Sequence, residues 1–217
     1  PVTAEALTPV VKQAMDAGIP VVTMDRKVNT DVTLHIGADN KKIGRAAGKW
    51  LVQKLGGKGT LVELKGLMTS PPAQDRHQGF VEGIAGSQIK TAFEADMKWL
   101  EPNARKEMES ALSRLPKIDA VYAHNDPGGH GAYLAAKAAG REKEIVFIGI
   151  DALPQEGQAY VKQGILAASF EYPTGGKAAI DTALKILKKE SIDKQIVLPS
   201  RYFTPENIDQ GGAPIED

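Results

Sequence analysis

Cysteine is absent from the 217 residues, which removes a disulfide framework, a thiol nucleophile and a thiolate metal site together. Aromatic residues are sparse, at 6% against 42% hydrophobic residues overall. The core must therefore be aliphatic, as in many soluble globular chains. An excess of one charge is also missing: Lys plus Arg and Asp plus Glu each number 27, and no basic run concentrates the positive ones. Phosphate backbones demand clustered cations, so nucleic acid is excluded as the main partner. No apolar run approaches the length of a bilayer span. The opening "PVTAEAL" has no basic stretch leading into an apolar one, so a targeting peptide is expected to have been removed or never present.

What is there is regular alternation. "TAEALTPVVKQAMDAG" sets Val10 with Ala14 and Val11 with Met15 at helical spacing and stops at a glycine. Short aliphatic runs follow as buried strands ("IPVVTM", "VTLHIG", "GTLVELKG", "IKTAFEAD", "IDAVYAHND", "EIVFIGID", "LAASFEY") with helical patterns between them. "QIVLPSRYF" reads as one final strand, and "ENIDQGGAPIED" as a polar, poorly ordered tail. The alternation predicts an α/β fold with a mainly parallel sheet covered by helices on both faces. Polar residues cluster with one polarity. Asp25-Arg26, Asn125-Asp126 and Asp151 sit at the C-terminal ends of predicted strands, and Arg76 in the segment after another. Open α/β sheets take ligands at that end.

Catalytic chemistry finds little support. Ser70 in "MTSPP" lacks a nucleophile elbow. His35, His77, His124 and His130 show no metal-binding spacing, and no metal is expected. "DPGGHG" follows a strand and opens a helix as an anion loop would, but lacks the Lys-Ser/Thr of a P-loop, so its glycines are read as a tight turn. Neither an enzyme nor a cofactor is expected. Asp25, Arg26, Arg76, Asn125, Asp151 and Glu171 instead supply acceptors, donors and a planar fork. That inventory suits a polyhydroxylated neutral ligand better than a phosphate, which would call for excess cations. Trp99, at the same rim, offers a face for the apolar side of a sugar ring. Trp50 reads as core.

The ordered series "IPVVTMDRKV", "HIGADNKKIGRAAGKWL", "GTLVELKG", "AQDRHQGFVEGI", "IDAVYAHND" and "FIGID" resembles sugar-binding periplasmic proteins of the ribose-binding type, from Pro1 to about Phe203. The resemblance implies two doubly wound parallel-sheet lobes joined by a three-strand hinge, with a sugar clamped between them. It assigns 1–38 to a partial first lobe, 39–170 to the second, 171–203 to the return through the hinge with remaining first-lobe elements, and 204–217 to a tail. It gives Asp25 and Arg26 sugar contacts from one lobe and Arg76 from the other, makes Trp99 the stacking aromatic, and gives Asn125 and Asp151 hydroxyl contacts. Glu171 stands at a hinge position where the family often has Gln, next to Tyr172. Asp39-Asn40 and Tyr202 fall at the other crossovers. The early first-lobe strands of the family have no counterpart, so the chain is expected to be a fragment whose half-built sheet exposes an edge.

By that resemblance the protein captures a monosaccharide for the membrane permease of an ABC importer. It is placed in the periplasm or outside the cell on a lipid anchor, and is monomeric when full length. The effector domain of a LacI-type regulator and a sensory binding protein for a membrane receptor are the alternatives. Arg76 is expected to bind, Asp75 to orient it or cap its helix, and His77 to play no part.

Overall fold

The computed structural model describes residues 3–216, which divide into two compact units. The first comprises the residues up to Asp39, Thr69–Pro72 and Pro173–Pro199; the second comprises Asn40–Met68, Ala73–Tyr172 and the residues from Ser200 onward. Pro1, Val2 and Asp217, at the outer limits of the expected first lobe and tail, lie outside the described residues.

The elements follow the aliphatic periodicity closely. They run α1 (Ala4–Asp16), β1 (Val22–Met24), β2 (Leu34–Gly37), α2 (Asn40–Lys54), β3 (Lys58–Lys65), α3 (Pro71–Ile84) and β4 (Gln88–Asp96). Then come α4 (Glu101–Arg114), β5 (Ala120–Ala123), α5 (Asp126–Ala138), β6 (Val146–Asp151), α6 (Gly157–Lys162) and β7 (Ala168–Glu171). The chain closes with α7 (Gly176–Leu187), β8 (Gln195–Val197), β9 (Arg201–Phe203) and β10 (Ala213–Pro214). Pro71 opens α3 and Pro102 lies in the first turn of α4, positions whose missing N–H costs nothing.

In the first unit β1, β2 and β8 form a parallel sheet in that order. Leu34, Ile36 and Ala179 are its buried core, flanked by half-buried Val22, Ile186 and Ile196. In the second unit the order is β10-β9-β7-β6-β5-β3-β4. The five strands from β7 to β4 are parallel, while β9 runs antiparallel to β7 and β10 antiparallel to β9. Strands sandwiched between helices lose access to water on both faces, and all four residues of β5 are accordingly buried.

Two sequence expectations are corrected. "QIVLPSRYF" is not one strand: Gln195–Val197 pairs with β2 in the first unit, and Arg201–Phe203 pairs with β7 in the second. Between them stand Leu198, Pro199 and Ser200, and Pro199 has no N–H to continue a ladder. The C-terminal segment is not a loose tail either. Ala213 and Pro214 pair with β9, the Ile215 amide donates to the Ser200 carbonyl, and Ile208 and Ile215 are buried. Two apolar anchors and a strand partner outweigh its polar composition.

Two glycine contacts position the site. α2 and α3 meet through Gly44 and Gly79, where a Cβ would overlap the Arg76 and Lys41 carbonyl oxygens respectively. Only glycine permits that backbone approach, and it fixes the height of Arg76 on α3. Phe80, one turn further on, stacks on Tyr122 of the sheet at 4.0 Å between ring centroids.

Candidate functional site

Arg76 is the centre of the second unit's polar cluster. It is a cation only 4% exposed, and burying a charge is costly unless partners replace water. Its Nε donates to Asn40 Oδ1 at 2.9 Å, Nη1 donates to the His124 carbonyl, and Nη2 lies 3.4 Å from Asp151 Oδ1. Its guanidinium carbon also stands 5.5 Å from the Trp99 ring and 5.4 Å from the Tyr172 ring, within cation–π range. Helix α3 supplies the arginine, and the ends of β5, β6 and β7 supply most of its surroundings.

Trp99 reaches this place through a strained turn. Lys98 and Trp99 both take left-handed backbone conformations, φ 55° and 67°, which L-residues adopt only under constraint. Asp96 accepts the Lys98 amide at 2.8 Å, and Asn125 Nδ2 donates to the Trp99 carbonyl at 3.1 Å. The indole lies against Gly66, where any Cβ would overlap the ring. Trp99 Nε1 and His124 Nδ1 are buried without a hydrogen-bonding partner among the described residues.

Asn125 is occupied at both ends. While Nδ2 holds Trp99, Oδ1 accepts the Gly128 amide at 3.0 Å and caps α5. Asp151 closes β6 in register with Glu171 of β7, so two acids stand side by side at neighbouring strand ends. Asp151 and Ala152 again have positive φ, 119° and 51°.

Behind these residues lie groups that the motif reading passed over. Glu63, 1% exposed in β3, bridges two imidazoles: His77 Nδ1 and His124 Nε2 each lie 2.9 Å from its Oε1. Burial would raise the Glu63 carboxyl, but hydrogen bonds from His124 and His77 outweigh it and the pKa falls; the Glu63 bond raises His77, while burial lowers His124. His77 thus has a partner and is not incidental to the structure. His130 turns elsewhere, to Glu101 at 3.1 Å and to a stacking contact with Tyr160. The signal for Glu63 was an acid inside the apolar run "TLVELKG". Asp126, wholly buried, could be named only as part of the strand-end pair Asn125-Asp126, with nothing local to mark its burial. Among the described residues no group of three or more His, Cys, Asp or Glu is placed to hold a metal.

Asp25 and Arg26 belong to the first unit, just beyond β1. Asp25 has φ 62°, its amide donates to the Ile36 carbonyl at 2.9 Å, and its carboxylate lies 3.7 Å from Arg26 Nε. Nearby His35 has its pKa lowered by burial first and by Lys27 second, against the opposing pull of Asp25. The structure therefore brings Arg76, Trp99, Asn125, Asp151 and Glu171 together at one end of one sheet, and Asp25 with Arg26 at a strand end of another.

A family profile described as "Periplasmic binding protein domain" matches residues 1–191. The ribose import binding protein of Salmonella typhimurium is 31% identical over 195 residues, covering 88% of this chain and 65% of that protein. The chain thus spans less than two thirds of the length of such relatives. The galactofuranose-binding protein of Escherichia coli K12 is 34% identical over 219 residues, 95% of this chain and 69% of that one. Among solved structures, the fructose-binding periplasmic domain of a hybrid two-component system superposes with a TM-score of 0.93 at 46% identity, covering 96% of this chain and 71% of that domain.

Proposed function

The chain belongs to the periplasmic binding protein domain family, and from that membership we propose that it captures a monosaccharide and hands it to the membrane permease of an ABC importer. The observation that carries the reading is buried Arg76, held between an acid, an amide and a carbonyl with two aromatic rings beside it. Three of the five N–H groups of a guanidinium are used by those contacts, which leaves donors for hydroxyls. Asp151 and Glu171 supply acceptors, and Trp99 and Tyr172 supply apolar faces. Asn125 contributes mainly by holding Trp99 and capping α5. In the first unit, Asp25 and Arg26 are the proposed hydroxyl contacts. The reading is of a binder that performs no reaction, working in the periplasm or on a lipid anchor and monomeric in its full-length form. No described helix is long and apolar enough to cross a membrane.

Names among the relatives point to hexoses: fructose at 46% identity and galactofuranose at 34%. D-Fructose is therefore the first probe. The test is thermal unfolding against a panel of pentoses, hexoses, polyols and amino acids. A ligand at 100 times its dissociation constant stabilises by about 2.7 kcal/mol. Stabilisation by one sugar, abolished in Arg76→Ala, supports the reading; stabilisation by a charged compound alone overturns the substrate class.

The 46% identity to a sensor domain favours a second reading, in which the same capture feeds a membrane receptor rather than a permease. Sugar uptake and transcriptional response in a strain lacking the protein separate the two.

A further inference from the structure

Asp126 stands behind the ligand arms and touches none of the groups assigned above by a direct hydrogen bond. Its side chain is fully buried. Oδ2 accepts the Ala152 amide at 2.7 Å and Oδ1 pairs with the Ser169 hydroxyl at 2.7 Å. The surrounding backbone is shaped to it, because a Cβ at Gly149 or Gly157 would overlap its carboxylate oxygens. Ala152 is the second of two consecutive residues with positive φ, and the first is Asp151. Non-glycine residues hold such conformations only where the surroundings over-determine them; the Asp126 carboxylate holds the Ala152 amide, and Gln158 Nε2 donates to the Ala152 carbonyl at 2.9 Å.

We propose that Asp126 is a positioning residue that locks the Asp151–Ala152 turn and thereby aims the Asp151 carboxylate at Arg76 and the ligand. The inference rests on the reading of Arg76 and Asp151 as ligand arms. Both carboxylate oxygens accept here, Oδ2 from the Ala152 amide and Oδ1 from the Ser169 hydroxyl; a protonated Oδ1 needs only that the rotatable Ser169 hydroxyl turn and accept, so the site can hold the neutral acid. The charged groups around it agree. Burial, then the Asp151 carboxylate, push its pKa well above the ordinary carboxylate range; the hydrogen bonds from Ser169 and the Ala152 amide oppose that, with Arg76 after them, and Tyr160 of α6 is a further titratable neighbour. Losing this proton would place a second negative charge beside Asp151 in a site of low dielectric.

Asparagine reproduces the neutral acid, with Oδ1 for the Ala152 amide and Nδ2 for Ser169. Alanine removes both bonds and leaves the Ala152 amide without its acceptor, with the Ala152 and Asp151 carbonyls still held, by Gln158 and Tyr172 respectively. The experiment compares wild type, Asp126→Asn and Asp126→Ala as full chains in two measurements. The first, without sugar, is amide hydrogen exchange at Ala152; opening of the turn in Asp126→Ala should speed exchange by about tenfold or more, the loss of one such hydrogen bond. Asp126→Asn should stay protected. The second is calorimetric affinity for D-fructose and the sugar panel over roughly pH 5 to 9, where buried carboxyls titrate. Wild-type affinity should fall on the alkaline side and Asp126→Asn should stay flat, while Asp126→Ala binds about tenfold or more weakly at every pH. An unprotected Ala152 amide in Asp126→Asn, or an affinity as poor as that of Asp126→Ala, overturns the proposal. If Asp126→Ala does not fold, wild type against Asp126→Asn still decides it. If wild type binds no sugar, the sugar reading fails while the exchange comparison still judges Asp126.

Discussion

The two units treat their apolar residues differently. In the second, a continuous core runs from Val62 and Leu64 through Met97, Met108, Val121 and Phe147 to Leu166 and Phe203, all buried. Its exposed large hydrophobics are the scattered Val81, Leu100 and Leu153. The first unit buries Leu34, Ile36 and Ala179, yet leaves Leu7 and Val10 of α1, Ile19, Met24 and Val197 exposed, together with Ile180, Leu184 and Leu187 along one face of α7. Scattered apolar residues are normal on a surface, whereas a contiguous face marks one built to be covered. The polar clusters differ in the same sense. Arg76 is buried and held from several sides, while the Asp25–Arg26 pair has side chains 47% and 28% exposed. The polar cluster is buried where the apolar core beneath it is extensive and half-exposed where that core is small.

The sharpest way to break this contrast is truncation in each unit. Phe80→Ala removes a fully buried ring stacked on Tyr122 and should cost about 3–5 kcal/mol in denaturant unfolding. Leu187→Ala, at a side chain 77% exposed, should stay within about 0.5 kcal/mol of wild type. Equal losses would mean that the exposed face is already covered in solution.

Next in size is Glu63→Gln, which gives one imidazole a donor where it needs an acceptor and should cost about 1–3 kcal/mol. Its pH signature is specific. The lowered Glu63 pKa contributes stability that is present above its unfolded value and lost as pH falls through the folded one; the raised His77 pKa contributes stability present below its unfolded value and lost as pH rises through the folded one. Wild type should therefore peak between the two, and Glu63→Gln should flatten both flanks in a melting-temperature profile. A profile that keeps its alkaline flank would remove His77 from the account.

A milder effect separates His35 of the first unit. Its pKa is lowered, so stability is full above its unfolded value near 6.5 and declines as pH falls towards the folded one. His35→Gln, able to keep the Thr23 contact seen at 3.0 Å, should remove that decline without touching the Glu63 flanks. The smallest change is Ile180→Ser with Leu184→Ser on α7: stability nearly unchanged, and less binding of a hydrophobic dye. Undiminished dye binding would place the exposed apolar face elsewhere.

Much of this was legible in the chain. Val, Ile and Leu runs of strand length alternating with 3.6-residue patterns fixed the element order, because periodicity records which face meets water. Strand-end Asp25, Asp151 and Glu171 and helix-borne Arg76 could be named from position alone. Other features depended on packing between distant segments. Nothing local distinguishes the two halves of "QIVLPSRYF", and the choice of sheet for each was made by β2 and β7. That Asn125 spends its amide on Trp99 and Gly128, that Glu63 joins His77 to His124, and that Asp126 is buried behind Asp151 are facts of tertiary contact. Strands, helices and the strand ends that carry the polar clusters follow from the chain alone, since backbone sterics and side-chain period are local. Which polar groups are buried and which hold others in place depended on folding, because burial and hydrogen-bond partners come from residues far away along the chain.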